Sequence, residues 1–573
     1  MRTERNLASQ FLSPRSRIAF LAGLVALSIP TRAQTVQVIL KEKDYILGGG
    51  PIQFVSKLAV TDRGLPFEEV IFNTTNNAED VALLRNGFLS ISESTPVLVP
   101  GGSIRTFEDL AVDRYGNVAW PLTLQNTPGG QPVDAGIYWN TVNLVLEAGP
   151  CTAPQVAPGT TYTKFEGVRV NDNGLLLCIG DVNDLTISGL EDAIFLLQTD
   201  GKGNLLSESV VVQDTRVYST FTTGITATGF AQNSLALNNR GDWMAQVVVG
   251  PPNTTDTGIL LNGTVIVREG DPAPVPPIPI VRTFSDMRDP ELDLNDFGEY
   301  VFNAILDTSD TNSNSMIVKG NVATGNQKFI QEGNTFLAIA PSNVLQFDSA
   351  PVYIANSGDV FWYCRSNGTA SQDTFYWRNF DVIVQEGVTF VGSEIVSTLR
   401  GTAYAFHASR SGRFWIGEVT LQNSGDAVLL ADFGAVVPVP GCLANPSQLT
   451  HVFGDARAGQ SISLQMDQAQ ALGALPLLYF STQPAVSNNS VISCGLPSKF
   501  GEILIGVGAG QLAGRLRGGP YAGVPVTFTI NIPNDPALVD QIYWLQGMFW
   551  DVPKTSGQAI RLTNGMYVEI GAP

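Results

Sequence analysis

Charged residues, cysteines and histidines are scarce in this chain of 573 residues. Only 15% of the residues are charged, five are cysteines and two are histidines. Disordered chains combine low apolar content with high charge, whereas here 44% of the residues are hydrophobic. The formal net charge is −19, so the chain lacks the basic surface that binds nucleic acid. We therefore expect a folded protein without a nucleic-acid partner.

Long hydrophobic runs are missing except near the N-terminus. There, several arginines precede the apolar run Ile18–Pro30, and the small-residue site Thr31–Ala33 follows it. This order is typical of a secretory signal peptide, and the run is too short to span a bilayer comfortably. We predict a signal peptide over residues 1–33, with an uncleaved anchor as the alternative. The mature chain is expected to be secreted, periplasmic or on the cell surface, with no membrane span.

The motifs of common catalytic and metal sites are also missing. No CxxC or Cys/His cluster is present, which argues against zinc. Gly48–Gly50 lacks the lysine and the strand–helix context of a phosphate-binding loop. His407 and His451 could serve a Ser-His-Asp triad, but no G-x-S-x-G elbow accompanies them, and we interpret His407 as structural. The sequence predicts no catalytic residue, no cofactor and no metal.

The chain does contain an internal repeat of about 58 residues. Seven glycines close turns of similar context, and the residues six and four positions before each glycine are apolar. Alternation with period two on both sides of an Asn/Asp/Gly turn predicts a β-hairpin, in which glycine supplies the positive φ. The seven glycines are Gly64, Gly116, Gly174, Gly241, Gly298, Gly358 and Gly412.

A second hairpin follows in most repeats, most clearly over residues 258–271, where Asn262-Gly263 forms the turn. Four strands in each of seven repeats predict an all-β fold, a seven-bladed β-propeller over residues 34–440. Strand 36–43 resembles the strand that ends a second hairpin, so we expect it to complete the last repeat and close the ring. An open β-solenoid and a string of small sandwiches are the alternatives.

The repeat ends near Gly441, and residues 441–573 predict a separate β-sandwich module. Ile532–Leu538 indicates a turn or a short helical turn. The four cysteines outside position 364 suggest two disulfides, because an exported protein folds in an oxidising compartment. The predicted pairs are Cys442 with Cys494 and Cys151 with Cys178, which leaves Cys364 buried as a small hydrophobe.

Five glutamates recur at one position of the repeat and could form an acidic rim. Paired carboxylates at such a rim could hydrolyse glycosides or bind a cation. A repeat supplies the same residue everywhere, however, whereas catalysis requires asymmetry, and this favours a structural role at the strand ends. The five residues are Glu42, Glu147, Glu269, Glu332 and Glu386.

Two segments resemble a known family. The turn Leu294–Phe302 and the strand end Val267–Pro274 resemble tandem repeats of exported, β-propeller-like bacterial proteins of uncharacterised function. Ile532–Leu538 and the LTNG stretch 562–565 are similar to a β-sandwich module common at the C-terminus of exported bacterial proteins. The resemblance implies this architecture and no activity. The first and fourth repeats depart from its pattern.

These observations favour an exported, non-catalytic binding or structural protein. Its partner would be an unknown extracellular ligand, either a glycan or a protein, and the chain is expected to be a monomer. The alternative is a hydrolase or lyase that acts on extracellular polysaccharide and uses a propeller as its scaffold.

Overall fold

A computed structural model describes residues 36–573 with several internal gaps. The predicted signal peptide lies outside the described residues. Among the residues that are described, no helix has the length and apolar character needed to cross a membrane. The gaps are residues 75–79, 98–100, 129–133, 185–190, 215–225, 251–256, 276–281, 288–291, 309, 311–312, 336–337, 340, 348, 444, 469–470, 486–493, 509 and 552–559.

The protein is all-β, and its first strand is β1 (Val36–Lys41). Seven antiparallel sheets then follow one another along the chain. The first sheet contains β2 (Tyr45–Ile46), β3 (Gly50–Val60), β4 (Pro66–Phe72), β5 (Val81–Arg85) and β6 (Phe88–Ser92). The second contains β7 (Ser103–Phe107), β8 (Ala111–Val112), β9 (Val118–Gln125), β10 (Ala135–Trp139) and β11 (Val142–Leu146).

The third and fourth sheets have four strands each. The third contains β12 (Thr161–Val170), β13 (Leu175–Asn183), β14 (Glu191–Thr199) and β15 (Leu205–Gln213). The fourth contains β16 (Thr226–Leu237), β17 (Trp243–Gly250), β18 (Thr257–Leu261) and β19 (Thr264–Arg268).

The remaining three sheets each contain a short strand just before the repeated glycine. The fifth contains β20 (Phe284–Asp286), β21 (Leu292–Leu294), β22 (Glu299–Leu306), β23 (Ser315–Asn321) and β24 (Gly325–Gln331). The sixth contains β25 (Val344–Gln346), β26 (Tyr353–Ile354), β27 (Val360–Ser366), β28 (Thr374–Arg378) and β29 (Asp381–Gln385). The seventh contains β30 (Phe390–Val391), β31 (Glu394–Leu399), β32 (Phe406–Ala408), β33 (Phe414–Leu421) and β34 (Gly425–Asp432).

The predicted hairpin turns are confirmed. All seven repeated glycines have positive φ, between 71° at Gly64 and 85° at Gly241. In the second hairpin of the fourth sheet, Asn262 and Gly263 have φ values of 50° and 79°, which is the geometry of a type I′ turn. These turns follow directly from the local Asn/Asp/Gly chemistry, because few other residues adopt positive φ without strain.

The N-terminal strand pairs with the seventh sheet, as predicted. β1 is antiparallel to β34, with Val36 opposite Ala431 and Lys41 opposite Ala427. Strands that are far apart in the sequence therefore complete one sheet, and β34 does not remain an exposed edge.

Each sheet shares one hydrophobic cluster with the sheet before it and another with the sheet after it. A further cluster joins the first sheet to the seventh, where Leu58 and Val60 pack with Ile416 and Leu430. Burial of one such side chain contributes roughly 1.5–3 kcal/mol, so this contact stabilises the association of the two chain ends. The seven sheets are thus connected in a cycle.

The chain ends in three further sheets built from β35 (Ala435–Val439), β36 (Gln448–Phe453), β37 (Ser461–Asp467), β38 (Leu475–Ser481), β39 (Leu496–Ser498), β40 (Gly501–Ile503), β41 (Leu512–Arg517), β42 (Val526–Asn531), β43 (Ile542–Trp550) and β44 (Ile560–Glu569). One sheet has the order β35-β44-β43-β38-β41, and another has the order β36-β37-β42. Both contribute to one cluster, in which Leu464 and Phe528 meet Leu478 and Met566. Pro536–Leu538 forms the expected short helical turn, with Asp535 as its N-cap.

One of the two predicted disulfides is present. Cys442 and Cys494 are bonded, and the buried Glu502 carboxylate accepts the Cys442 and Leu443 N–H groups at 2.8 Å. The predicted pair Cys151 and Cys178 is wrong, because both are free buried thiols.

The two thiols have different surroundings. Cys151 lies before β12 beside the Tyr162 hydroxyl, whereas Cys178 lies within β13 between Val168 and Phe195. Burial raises the pKa of both, so they remain protonated thiols.

Candidate functional site

Each recurring glutamate lies just after the outermost strand of its own sheet. Each backbone N–H donates to a carbonyl at the start of the neighbouring strand, over distances of 2.6–3.1 Å. Four of the side chains extend this contact. Ser315 N–H donates to Glu332 at 3.0 Å, and Thr374 Oγ1 donates to Glu386 at 2.7 Å. Asp134 N–H donates to Glu147 at 3.3 Å, and Thr257 Oγ1 donates to Glu269 at 3.4 Å. The structure therefore holds the five glutamates separately instead of bringing them together. The carbonyls belong to Asp426, Ala135, Thr257, Ser315 and Thr374 for Glu42, Glu147, Glu269, Glu332 and Glu386.

A sixth glutamate at this position escaped the sequence analysis. Glu93 follows β6, its N–H donates to Val81 O at 2.9 Å, and its carboxylate accepts Val81 N–H at 3.3 Å. Burial raises the pKa of Glu93, Glu147 and Glu332 to about 7. Glycine follows three of the other glutamates, whereas Lys43, Ala148 and Ser94 follow Glu42, Glu147 and Glu93.

A cavity of about 120 Å³ lies where the innermost strands of all seven sheets meet, and we call it the lumen. A single water needs about a tenth of this volume, so the lumen can hold a small polar molecule or several waters. One residue from each sheet illustrates its lining: Val60, Val112, Val170, Leu237, Leu292, Ile354 and Ala408.

One position of the repeat, five residues before the glycine, differs between sheets along the lumen. Three sheets have alanine there and four have a larger polar or aromatic side chain. Sequence reasoning did not single out this position, although aligning the seven repeats would have revealed it. The residues in chain order are Ala59, Ala111, Arg169, Ala236, Asp293, Tyr353 and His407, and all seven line the lumen.

Three of these side chains bind backbone groups of the next sheet in the cycle. Arg169 Nε donates to Leu235 O at 3.1 Å, and Asp293 Oδ2 accepts Ile354 N–H at 2.9 Å. His407 Nδ1 accepts Val60 N–H at 3.2 Å, which links the seventh sheet to the first. Innermost strands present unpaired backbone groups, and these contacts satisfy some of them. His407 therefore has the structural role predicted for it, and it also lines the lumen.

Two guanidinium groups determine the electrostatics of the lumen. Arg169 pairs with Asp109 at 2.9 Å, and Arg410 pairs with Asp296 at 3.7 Å. Burial, followed by the charges of Arg169 and Arg410, lowers the pKa of His407 to about 3. The imidazole is therefore neutral at pH 7. Because Nδ1 is the acceptor, its proton lies on Nε2, which is a donor.

An aromatic contact and a buried acid complete the lumen. The Tyr353 and His407 rings meet edge to face, with centroids 4.9 Å apart. Burial raises the pKa of Asp293, while Arg410 opposes the shift. The lumen thus offers hydrogen-bond donors, acceptors and an aromatic surface side by side, which is the combination that binds small polar molecules.

The repeated turns are also linked from sheet to sheet. Asp172 Oδ1 accepts Arg114 N–H at 2.9 Å, and Asp296 Oδ1 accepts Asn239 N–H at 2.7 Å. Asp62 Oδ1 accepts Ser411 N–H at 2.7 Å and thereby joins the first turn to the seventh. The sequence indicated these Asn and Asp residues only as turn formers, because links between sheets depend on the tertiary arrangement.

The terminal segment contacts the seventh of these turns. Arg413, one residue after the seventh glycine, donates to Glu569 Oε1 at 2.5 Å and to Asp540 Oδ1 at 2.6 Å. Burial, followed by the carboxylates of Asp62, Glu569 and Asp296, raises the pKa of Tyr567 in β44.

Solved structures with some likeness to this chain include three proteins of 8–9% identity. An exo-β-1,3-galactanase from Phanerochaete chrysosporium with galactose is 8% identical, with 79% of this chain and 93% of that chain covered and a TM-score of 0.22. An α-L-arabinofuranosidase from Fusarium graminearum with an iminosugar inhibitor is also 8% identical, with coverages of 70% and 98% and a TM-score of 0.26. A GH43_12 retrieved from a capybara gut metagenome is 9% identical, with coverages of 81% and 92% and a TM-score of 0.22.

TM-scores of this size establish neither a shared fold nor a shared substrate. No curated protein matches the sequence. A family of unknown function does match, and it covers residues 27–333, more than half of the chain. The chain therefore belongs to the family of unknown function DUF7453.

Proposed function

We propose that the seven sheets form a seven-bladed β-propeller closed by β1, followed by a β-sandwich module. The cycle of hydrophobic clusters and the β1–β34 pairing support the ring. The cluster shared by two terminal sheets supports the sandwich. Because β35 pairs with β44, we place the boundary between the two near Phe433 and not at Gly441.

The protein is exported and reaches the periplasm, the cell surface or the medium. The signal pattern of residues 1–33 and the Cys442–Cys494 disulfide support this location, because disulfides persist in oxidising compartments.

Its function is to bind a small polar ligand, the end of a glycan or of a peptide, in the lumen. The observation that carries this proposal is the variation at one repeat position. Arg169, Asp293, Tyr353 and His407 replace the alanines of the other sheets, all at the lumen. A scaffold needs no such asymmetry, whereas a ligand site requires unlike groups from different elements.

The role is binding and not catalysis. The alternative, a hydrolase or lyase acting on polysaccharide, relied on paired acids among the recurring glutamates. Each of those glutamates is bonded within its own sheet. Within the described residues they therefore do not supply the two facing carboxylates that glycoside hydrolysis uses.

The test uses the mature chain, residues 34–573, in a glycan and peptide binding screen followed by proton NMR. The chain has two histidines, so the spectrum contains two sets of imidazole signals. The variant His451→Gln lacks one set and thereby assigns the remaining one to His407. A ligand in the lumen should shift the His407 signal and leave the His451 signal unchanged. Tyr353→Leu should weaken that ligand about tenfold, because the edge-to-face surface is lost.

Two results would contradict the proposal. Screen hits that leave His407 unchanged would place the ligand elsewhere. Release of reducing ends or unsaturated products from polysaccharides, abolished by changing lumen residues, would favour the enzyme.

A further inference from the structure

The first sheet contains a second cavity, of about 310 Å³, which we call the side pocket. Gly48, Gly49, Phe72, Ser92, Glu93 and Ser94 are among the residues that line it. It is formed from the first sheet's own strands and loops and shares no lining residue with the lumen. A cavity of this size accommodates one or two sugar units.

The glycine segment before β3 closes over an aromatic ring to form one wall. A Cβ on Gly49 would lie 2.2 Å from Phe72 Cζ, so no larger residue fits there without a shift of the ring. Gly48 and Gly50 have φ values of 91° and 126°, which only glycine adopts without strain. Gly48 and Gly49 therefore form this wall, and Gly49 lies against Phe72.

Ser94 occupies a strained backbone position on the opposite wall. Its φ is 62°, at the repeat position where Gly270, Gly333 and Gly387 stand in other sheets. Lys43 and Ala148 stand at this position in two other sheets, also with positive φ, so glycine is not required there, although it would relieve the strain at Ser94. Ser94 lines the pocket next to Glu93, and its hydroxyl lies 3.5 Å from Gln125 Nε2.

Glu93 is 8% exposed and lines the pocket, and its carboxyl accepts Val81 N–H at 3.3 Å. Burial raises its pKa to about 7, and the neighbouring Asp80 carboxyl adds to the shift. Near neutral pH the group can therefore both donate and accept a hydrogen bond. None of the described residues that line the pocket is Lys, Arg or His, so an anion would meet no opposite charge.

We propose that the side pocket binds a neutral polyhydroxylated ligand, a sugar of one or two units. Serine hydroxyls and the Glu93 carboxyl match vicinal hydroxyl groups, while the Phe72 ring is buried behind Gly49 and supports that wall. This site is independent of the lumen, so either proposal can fail alone.

The test titrates the mature chain with glucose, galactose, xylose and cellobiose, and with glucuronate as a charged counterpart. Ligand-observed NMR gives affinity, and the His407 signal reports on the lumen. At least one neutral sugar should bind with Kd below about 50 mM and leave His407 unchanged, and glucuronate should bind more weakly.

Ser94→Gly is the decisive variant, because it removes the hydroxyl and the backbone strain together. We expect it to keep or raise Tm and to weaken the sugar about tenfold. Ala148→Gly is the matched control, since Ala148 has φ 56° at the same repeat position of the second sheet and does not line the pocket. It should relieve strain and leave binding unchanged.

Glu93→Leu should abolish binding, whereas Glu93→Gln, which keeps a donor and an acceptor, should retain most of it. The proposal is overturned if none of the neutral sugars binds. It is equally overturned if Ser94→Gly binds as well as the unchanged chain, or if the bound sugar shifts His407.

Discussion

Two positions of the repeat differ in how consistently the sheets keep one residue type. One lies just after the outermost strand, and the other lies on the innermost strand, five residues before the glycine. At the outer ends a glutamate recurs in most sheets and binds its own neighbouring strand each time. At the innermost strands the position five before the glycine changes from alanine to arginine, aspartate, tyrosine or histidine. Uniformity at the outer position reflects a requirement that every sheet shares. Variation at the inner position allows unlike groups to meet a ligand. Experiments can separate the roles of the outer and the inner position.

Removal of β1 should have the largest effect, because it leaves the seventh sheet incomplete. Deletion of residues 34–46 exposes the β34 edge and removes the packing of Leu40 against the first and seventh sheets. We expect aggregation or oligomers in size-exclusion chromatography with light scattering. A stable monomer would show that the cycle does not depend on this strand.

Arg410→Ala tests the inner strands. Arg410 donates to Leu237 O at 2.7 Å and Leu294 O at 3.2 Å and pairs with Asp296. Loss of the guanidinium removes the donor of both carbonyls, whereas Asp296 still accepts from Asn239 and Asn356. Because an unsatisfied carbonyl is costly, unfolding in urea should show a loss of about 4 kcal/mol. If a variant of an outer glutamate lost as much unfolding free energy, the innermost strands and the outer ends would not differ in this respect.

Glu68→Gln tests a position where only the first sheet departs from the repeat. Trp120 and Trp362 stand at the equivalent positions, and burial raises the pKa of Glu68 to about 8. A raised carboxyl pKa means that its contribution to stability is full below the unfolded value near 4.5 and is lost as the pH rises through 8.

The substituted chain should therefore be the more stable one at pH 9, by about 3 kcal/mol. The two chains should converge at pH 4. Urea unfolding across this pH range measures the difference, and parallel pH profiles for both chains would contradict it.

Glu386→Gln should have the smallest effect. The amide oxygen of glutamine can still accept the Thr374 hydroxyl, which donates to Glu386 at 2.7 Å. The change in unfolding free energy should stay below about 1 kcal/mol. A much larger loss would mean that the carboxylate charge itself matters at the outer ends.

Local chemistry explains what the sequence could predict. The hairpins at Gly298 and Asn262-Gly263 and the short turn Pro536–Leu538 depend on residues a few positions apart, and all were predicted. The pairing of β1 was predictable because its sequence resembles Val265–Asp271.

Features that depend on tertiary distances were missed. Cys151 and Cys178 share one cluster without facing each other, and no spacing rule contains that information. The contact from Asp293 to Ile354 N–H joins neighbouring sheets, so it becomes visible only once the sheets are placed side by side.

The β1–β34 pairing also sets a sequence of events in folding. The strand that leaves the ribosome first is completed by one of the last strands of the seven sheets, so the sheets between them form while the cycle is still open. Until residues 425–432 arrive, β1 is an unpaired edge. Closure should then be a late, cooperative step whose speed is governed by the long intervening chain and not by the stability of any single sheet.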